Sequence, residues 1–251
     1  MEITIHRIFH ETADLGRGVV VVIDVIRAFS VAAYAFAGGA SEIWLVRHVE
    51  EALALKAHEP SAVLAGEVNG RQILGFDLSN SPAQMAQAEV RDRLIIQRTG
   101  SGTRGAVSAI NAERLLACSL VNARSTARYA AELAKELESE ISLFPTASLP
   151  DEFDDPNEDD YCADYLAALL LGSPDAEAVL GVNIEQLRRQ GRFELFARGY
   201  PDCPPEDVPR VLDVNRFSFA MEGVRRRWNN IDYISLTHVD IPTGITGRQV
   251  P

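Results

Sequence analysis

The first 146 residues alternate regularly between two textures, and that alternation constrains the fold more than any other feature. Short, nearly continuous apolar runs occur at Val19–Val25, Glu42–Val46, Ala62–Ala65, Leu94–Gln97, Leu115–Ser119 and Ile141–Phe144. Runs of this length without polar alternation are expected of strands covered on both faces. Helical stretches separate them: the alanine- and aromatic-rich Ala28–Ala37, then Val49–His58, Arg104–Asn111 after a glycine turn, and Asn122–Glu138. The opening residues, Met1–His6, read as one more strand and not as a signal peptide. Strand–helix alternation predicts an α/β fold, layered α/β/α, with a largely parallel or mixed sheet.

Beyond residue 146 the pattern changes. Residues 150–160 hold seven acidic side chains and two prolines, a turn-rich loop leading into a helix from about Asn157 to Leu171. Acidic residues suit a helix N-terminus because they complement its dipole. Short helices are expected at Asp175–Leu180, Ile184–Gln190 and Phe193–Arg198. A hairpin is expected from Phe217–Arg226 and Asp232–Val239, and a mobile tail at Ile241–Pro251. No linker interrupts the chain. It reads as one domain over 1–251, with a core over 1–146 and a C-terminal helical and hairpin elaboration over 147–251. Phe217, Phe219 and Met221 suit either a core or a homodimer interface.

The net charge of −12 argues against nucleic acid as the main partner. No apolar run reaches the roughly 18 residues that span a bilayer, so no membrane partner is expected. Cys118, Cys162 and Cys203 have no C-x-x-C spacing, which excludes a disulfide framework or a zinc site and makes a reducing cytoplasm the expected location. Of 24 basic side chains, all but Lys56 and Lys135 are arginines. Base composition alone would produce that bias, but placement would not follow from it.

In a parallel α/β sheet, ligands gather at the carboxyl ends of strands. The loops there contain Asp24-Val25-Ile26-Arg27, Gly66-Glu67-Val68-Asn69-Gly70-Arg71, Gly75-Phe76-Asp77-Leu78-Ser79-Asn80-Ser81-Pro82, Arg98-Thr99-Gly100-Ser101-Gly102-Thr103-Arg104, and Ser119-Leu120-Val121-Asn122. A glycine-rich turn entering a helix exposes N–H groups to an anion. The Thr99–Arg104 segment fits that role, and it fits an ordinary capped βα turn equally well. It is neither a Walker A loop nor G-x-G-x-x-G. Arg27, Arg71, Arg98, Arg104 and Arg124 lie in or beside these loops. Asp24, Glu67, Asp77 and the Glu158-Asp159-Asp160 trio could supply hard oxygen ligands, although each also suits a cap, a turn or a salt bridge. Asp24 stands out because it ends a very apolar strand and must be paired or must bind something.

No G-x-S-x-G elbow is present, and the five histidines lie outside the candidate loops. Cys162 follows an acidic helix start that would raise its pKa, which suits a small buried residue. Asp24-Val25-Ile26 has Ile26 where the aspartyl-phosphate phosphatases carry a second Asp.

Six segments in this order resemble the 2-phosphosulfolactate phosphatase (ComB-like) family. They are Val22-Ile23-Asp24-Val25-Ile26-Arg27-Ala28, Leu64 to Gly70, Gly75 to Pro82, Thr99 to Arg104, Ser119 to Ala123, and Glu158-Asp159-Asp160-Tyr161-Cys162-Ala163. The resemblance covers about residues 18–240. The resemblance implies Mg²⁺-dependent hydrolysis of 2-phospho-3-sulfolactate to 3-sulfolactate and phosphate. Two departures bear on the substrate more than on the reaction class. Phe29-Ser30 replaces a Thr-rich stretch, and Thr99-Gly100-Ser101-Gly102-Thr103 replaces the family's Thr-Thr-Asn-Gly-Thr.

The expected function is therefore a Mg²⁺-dependent phosphatase acting on a small anionic substrate. Glu67 and Asp77 are the expected metal ligands, with Asp24 or Asp159 as further candidates. Arg27, Asn80, Ser81, Gly100, Ser101, Gly102, Thr103, Arg104 and Asn122 are the expected substrate contacts. The catalytic candidates are Asp24, Cys162 and Asp159, and the nucleophile stays open between metal-bound water, Asp24 and Cys162, with water ranked first. A Mg²⁺-dependent lyase on a phosphocarboxylate, or an organic-anion binding module without turnover, would share the same pocket.

Overall fold

Five consecutive β-branched residues, Val19–Ile23, form a strand buried on both faces, and the rest of the fold is arranged around it. In this computed structural model, residues 4–146, 156–199 and 202–242 are described. The elements run β1 (Ile5–Arg7), β2 (Val19–Ile23), α1 (Ala28–Ala37), β3 (Glu42–Val46), α2 (Val49–His58), β4 (Val63–Val68), β5 (Arg71–Gln72), α3 (Pro82–Met85), β6 (Leu94–Arg98) and α4 (Gly102–Ser108). They continue with β7 (Arg114–Cys118), α5 (Ala123–Leu137), β8 (Ile141–Pro145), α6 (Glu158–Leu170), α7 (Ala176–Arg189), α8 (Arg192–Gly199), α9 (Asp207–Val211), β9 (Phe219–Trp228) and β10 (Ile231–Asp240). The acidic loop over 150–155 and most of the C-terminal tail lie outside the described residues.

The strands form one mixed sheet in the order β1-β8-β2-β7-β9-β10-β3-β6-β4-β5. The layered α/β expectation holds, and the sheet is mixed for a specific reason. β1, β8, β2 and β7 are parallel to one another, as are β3, β6 and β4. The β9–β10 hairpin sits between the two groups and pairs antiparallel with β7 on one side and β3 on the other. The two groups therefore run in opposite directions. The hairpin, expected at the end of the chain as an elaboration, supplies the two middle strands that join them.

Six strand-to-strand steps separate β2 from β4. At about 20–25° of twist per step they amount to roughly 120–150°. This rotation turns the carboxyl end of β4 back toward that of β2. α4 spans the gap, packing against β2, β3, β6 and β10. α1 lies on the same face, with nine of its ten residues buried. Its small alanines allow the sheet to close around it.

Side-chain alternation divides the core. Val20 and Val22 of β2 join Ile43, Leu45, Val63 and Ile95 around α1 and α4. Val19, Val21 and Ile23 face α5 and α6. Val46, Leu64 and Ile96 pack against α2. Phe219 and Met221 belong to the α1 and α4 core, and Phe217 packs against it. The expected helices at Asp175–Leu180 and Ile184–Gln190 are one helix, α7. Gly181 within it costs about 1 kcal/mol of propensity, and burial of Ala176, Leu180 and Leu187 offsets that cost. Among the described residues no helix is long and apolar enough to cross a membrane.

Candidate active site

β2 delivers Asp24 into the interior, where its side chain is 5% exposed. Its Oδ1 accepts from Ala28 N at 3.0 Å, and Gly102 packs close against its Oδ2. A Cβ on Gly102 would stand 2.5 Å from Asp24 Oδ2, so only glycine allows the α4 turn to come this close. Burial is the main cause that pushes the Asp24 carboxyl up to about 7, and the charges of Glu67 and Glu158 add to it.

Glu67 arrives from the end of β4. Gly66 before it has φ +154°, and a Cβ there would lie 2.0 Å from the Arg98 carbonyl oxygen, so the β4–β6 contact also requires glycine. Glu67 Oε1 accepts from Gly100 N at 2.5 Å, and Oε2 accepts from Gly70 N at 2.7 Å. The glycine-rich turn thus directs its Gly100 N–H at one of the chain's own carboxylates and packs Gly102 against another. Its hydroxyls serve the turn as well. Thr99 N donates to Thr103 Oγ1 at 2.9 Å, and Thr103 N donates to Thr99 Oγ1 at 3.2 Å. Ser101 begins α4 without a side-chain cap bond, and Arg104 is exposed, with Nη1 3.4 Å from the Gly100 carbonyl.

The three acids at the start of α6 have three different positions. Asp160 accepts from Asn157 N at 3.1 Å, one half of a capping box. Asp159 Oδ1 accepts from Val25 N at 2.7 Å and secures the turn after Asp24. Glu158 is 2% exposed, faces Asp24 electrostatically, and pairs with Arg192 at 3.0 Å. The sequence marks all three only as an acidic run. Arg192 has no signal there, because only the fold of α8 against α6 brings it in.

The structure therefore brings together Asp24, Glu67, Glu158, Asp159, Gly100 and Gly102. The other expected residues lie outside this group, in the elements around it. Asp77 Oδ2 accepts from Leu64 N at 2.8 Å, with Lys56 4.0 Å away. Asn122 Oδ1 accepts from Ser119 N at 3.0 Å, and its Nδ2 donates to Thr126 Oγ1 at 3.0 Å. Arg27 Nη1 donates to Asp207 Oδ2 at 3.0 Å, and Ser81 Oγ donates to Asp207 Oδ1 at 2.6 Å. Asn80 is buried, and its amide oxygen has no partner. Arg98 Nη1 donates to the Glu67 carbonyl at 2.7 Å, while Arg124 pairs with Glu177 at 2.6 Å. Arg71 is exposed on β5.

Cys162 is fully buried beside Cys118. Burial, then that neighbour, holds its thiol well above the ordinary range. His10, outside every loop singled out from sequence, reaches the Thr146 carbonyl at 3.1 Å, beside the end of β8. Burial holds its imidazole below the ordinary value, and the charge of Arg104 adds to that.

Among the described residues no group of three or more His, Cys, Asp or Glu is gathered as a ready metal cage. Asp24 and Glu67 still fit a hard divalent ion, which takes one or two carboxylates and fills its other positions with water and phosphate. Two opposed carboxylates, one of them fully buried, repel each other unless a proton or a cation lies between them.

Comparison with known proteins identifies the family. The family model described as 2-phosphosulpholactate phosphatase matches residues 5–187. A protein of Bacillus subtilis (strain 168) named probable 2-phosphosulfolactate phosphatase is 43% identical over 153 residues, covering 61% of this chain and 64% of that protein. Proteins of the same name from Clostridium novyi (strain NT) and Deinococcus radiodurans are 36% and 35% identical, covering 63% and 69% of this chain and 65% and 70% of theirs. The matched region thus spans just under two thirds of the first two relatives. With the family model matching well over half of its length, the chain belongs to the 2-phosphosulfolactate phosphatase family.

Proposed function

We propose that this chain is a Mg²⁺-dependent phosphatase that cleaves 2-phosphosulfolactate, or a similar small acidic organophosphate, to the hydroxy acid and phosphate. One observation carries the reading. Asp24 and Glu67 stand on either side of the turn in which Gly100 N–H donates to Glu67 and Gly102 packs against Asp24. Glu67, with Asp24 facing it, would hold the ion, and Asp77, tied to the Leu64 backbone, would not. When bound, Mg²⁺ would offset the phosphate charge and make a water more acidic.

The chain's own residues supply the proton handling. Burial raises the Asp24 carboxyl to about 7 in the metal-free protein, and a cation held beside it would favour the carboxylate that accepts a proton. Water oxygen bonds to phosphorus, the ester P–O bond breaks, and the proton that water gives up reaches the leaving oxygen by way of Asp24. Glu158, tied to Arg192, keeps a second negative charge near Asp24. In this reading the Cys162 thiol is a packing group, because burial keeps it protonated.

The test is a phosphate-release screen over 2-phosphosulfolactate and related phosphocarboxylates, with and without Mg²⁺. Metal-dependent release of phosphate with the intact hydroxy acid as the second product is expected. An unsaturated product would indicate a lyase. Tight binding measured by calorimetry, with no release under any divalent ion, would indicate an anion-binding module.

A further inference from the structure

Arg27 is 5% exposed, and only one corner of its guanidinium is used. Nη1 donates to Asp207 Oδ2 at 3.0 Å and to the Asp202 carbonyl at 2.7 Å. Nε and Nη2 bond to none of the described residues. The same Asp207 carboxylate accepts at Oδ1 from Ser81 Oγ at 2.6 Å and from Ala83 N at 3.0 Å. It therefore ties together the starts of α1 and α3, whose loops begin at Asp24 and follow Glu67. Asn80, next to Ser81, has a buried amide oxygen with no hydrogen-bond partner among the described residues. Buried polar atoms without partners are rare in folded proteins and call for an explanation.

A guanidinium pinned at one corner and open along the other edge is a fork set in advance for an anion. We propose that Asp207 is a positioning residue for substrate recognition. It holds Arg27 against the Asn80–Ser81 turn so that the open Arg27 edge receives an acidic group of the substrate. The inference rests on the phosphatase reading for the identity of that substrate. Asp207 lies beyond the region matched by the family model, which ends at residue 187, and no local motif marks it in the sequence.

The test is a double-mutant cycle of Asp207→Asn and Arg27→Gln. Phosphate release from 2-phosphosulfolactate gives KM and kcat, and calorimetry with 3-sulfolactate gives Kd without turnover. Asp207→Asn keeps an oxygen for Ser81 and Ala83 but turns a donor toward Arg27. The expected result is a rise of roughly tenfold in KM and Kd, with kcat kept within about threefold, in the range of contacting residues. The double variant should be no worse than Arg27→Gln by more than about threefold. Effects that multiply in the double variant, a fall in kcat at constant KM, or an unchanged Kd would overturn the inference.

If Asp207→Asn does not fold, Asp207→Glu retains the charge and displaces Arg27 by one methylene. It should raise KM and Kd while sparing kcat, and unchanged values would overturn the inference equally. If the wild-type protein binds 3-sulfolactate but releases no phosphate, the phosphatase reading fails and the Kd cycle alone decides this one. If the wild-type protein does not bind 3-sulfolactate, the inference is overturned.

Discussion

Replacing Asp24 with Asn should stabilise the metal-free protein at high pH and leave little gain at low pH. The Asp24 carboxyl moves from an ordinary 3.8 to about 7 on folding, chiefly because it is buried. A raised carboxyl pKa means that the folded state binds more protons than the unfolded state between those values. Stability then falls as pH rises through that window and levels off above about 7. At pH 8 the buried charge costs about 4 kcal/mol, and at pH 5 about 1–2 kcal/mol. The Asn variant does not titrate, so its stability relative to wild type should improve by about 2–3 kcal/mol from pH 5 to pH 8. Its amide oxygen can still accept from Ala28 N, but its NH2 group is a donor buried without a partner, a pH-independent cost of about 1–2 kcal/mol. The net gain at pH 8 is therefore about 2–3 kcal/mol, with no gain expected at pH 5. Urea unfolding in the presence of a chelator measures the difference directly. In thermal melts the pH-dependent part corresponds to about 5–10 °C for a chain of this size. A stability difference that stays constant between pH 5 and pH 8 would refute the burial of a carboxylate charge at this position.

Gly102→Ala places a methyl group 2.5 Å from Asp24 Oδ2 and 2.8 Å from the Ala28 Cβ. It should lower stability by about 1–3 kcal/mol and abolish phosphate release, both readable in one purified sample. Glu67→Gln should raise the Mg²⁺ concentration for half-maximal activity by roughly tenfold or more. Asp77→Asn should leave that concentration unchanged and lower Tm, because its oxygen supports the Leu64 backbone. Cys162→Ser puts a hydroxyl into an apolar site and should cost about 1–3 kcal/mol of stability while activity per folded molecule persists. Loss of activity in a folded Cys162→Ser protein would put the thiol back into the chemistry.

Most elements were legible because their signals are local. The β-branched run Val19–Ile23, the alanine-rich α1 and the Asn157 cap of α6 each follow from neighbours in sequence. The loops that carry Asp24, Glu67 and Gly100–Thr103 were legible too, because each follows a recognisable strand. The individual duties of the charged residues were harder to read. The strand-end rule treats Arg27, Arg98 and Arg124 alike, yet they bond to Asp207, the Glu67 carbonyl and Glu177. Those partners lie 180, 31 and 53 residues away, and nothing in a local pattern identifies them.

The sequence by itself determined an α/β chain with acidic and glycine-rich strand ends. Only the tertiary structure decided how those ends meet. The strand-end rule assumes one parallel sheet, whereas the β9–β10 hairpin reverses β3, β6 and β4 relative to β2, β7 and β8. Hairpin periodicity shows that two strands pair with each other, but it carries no information about which other strands flank them. The right-handed twist, summed over six steps and closed around α1 and α4, brings the two opposed strand ends together. That rotation is what sets Asp24 opposite Glu67.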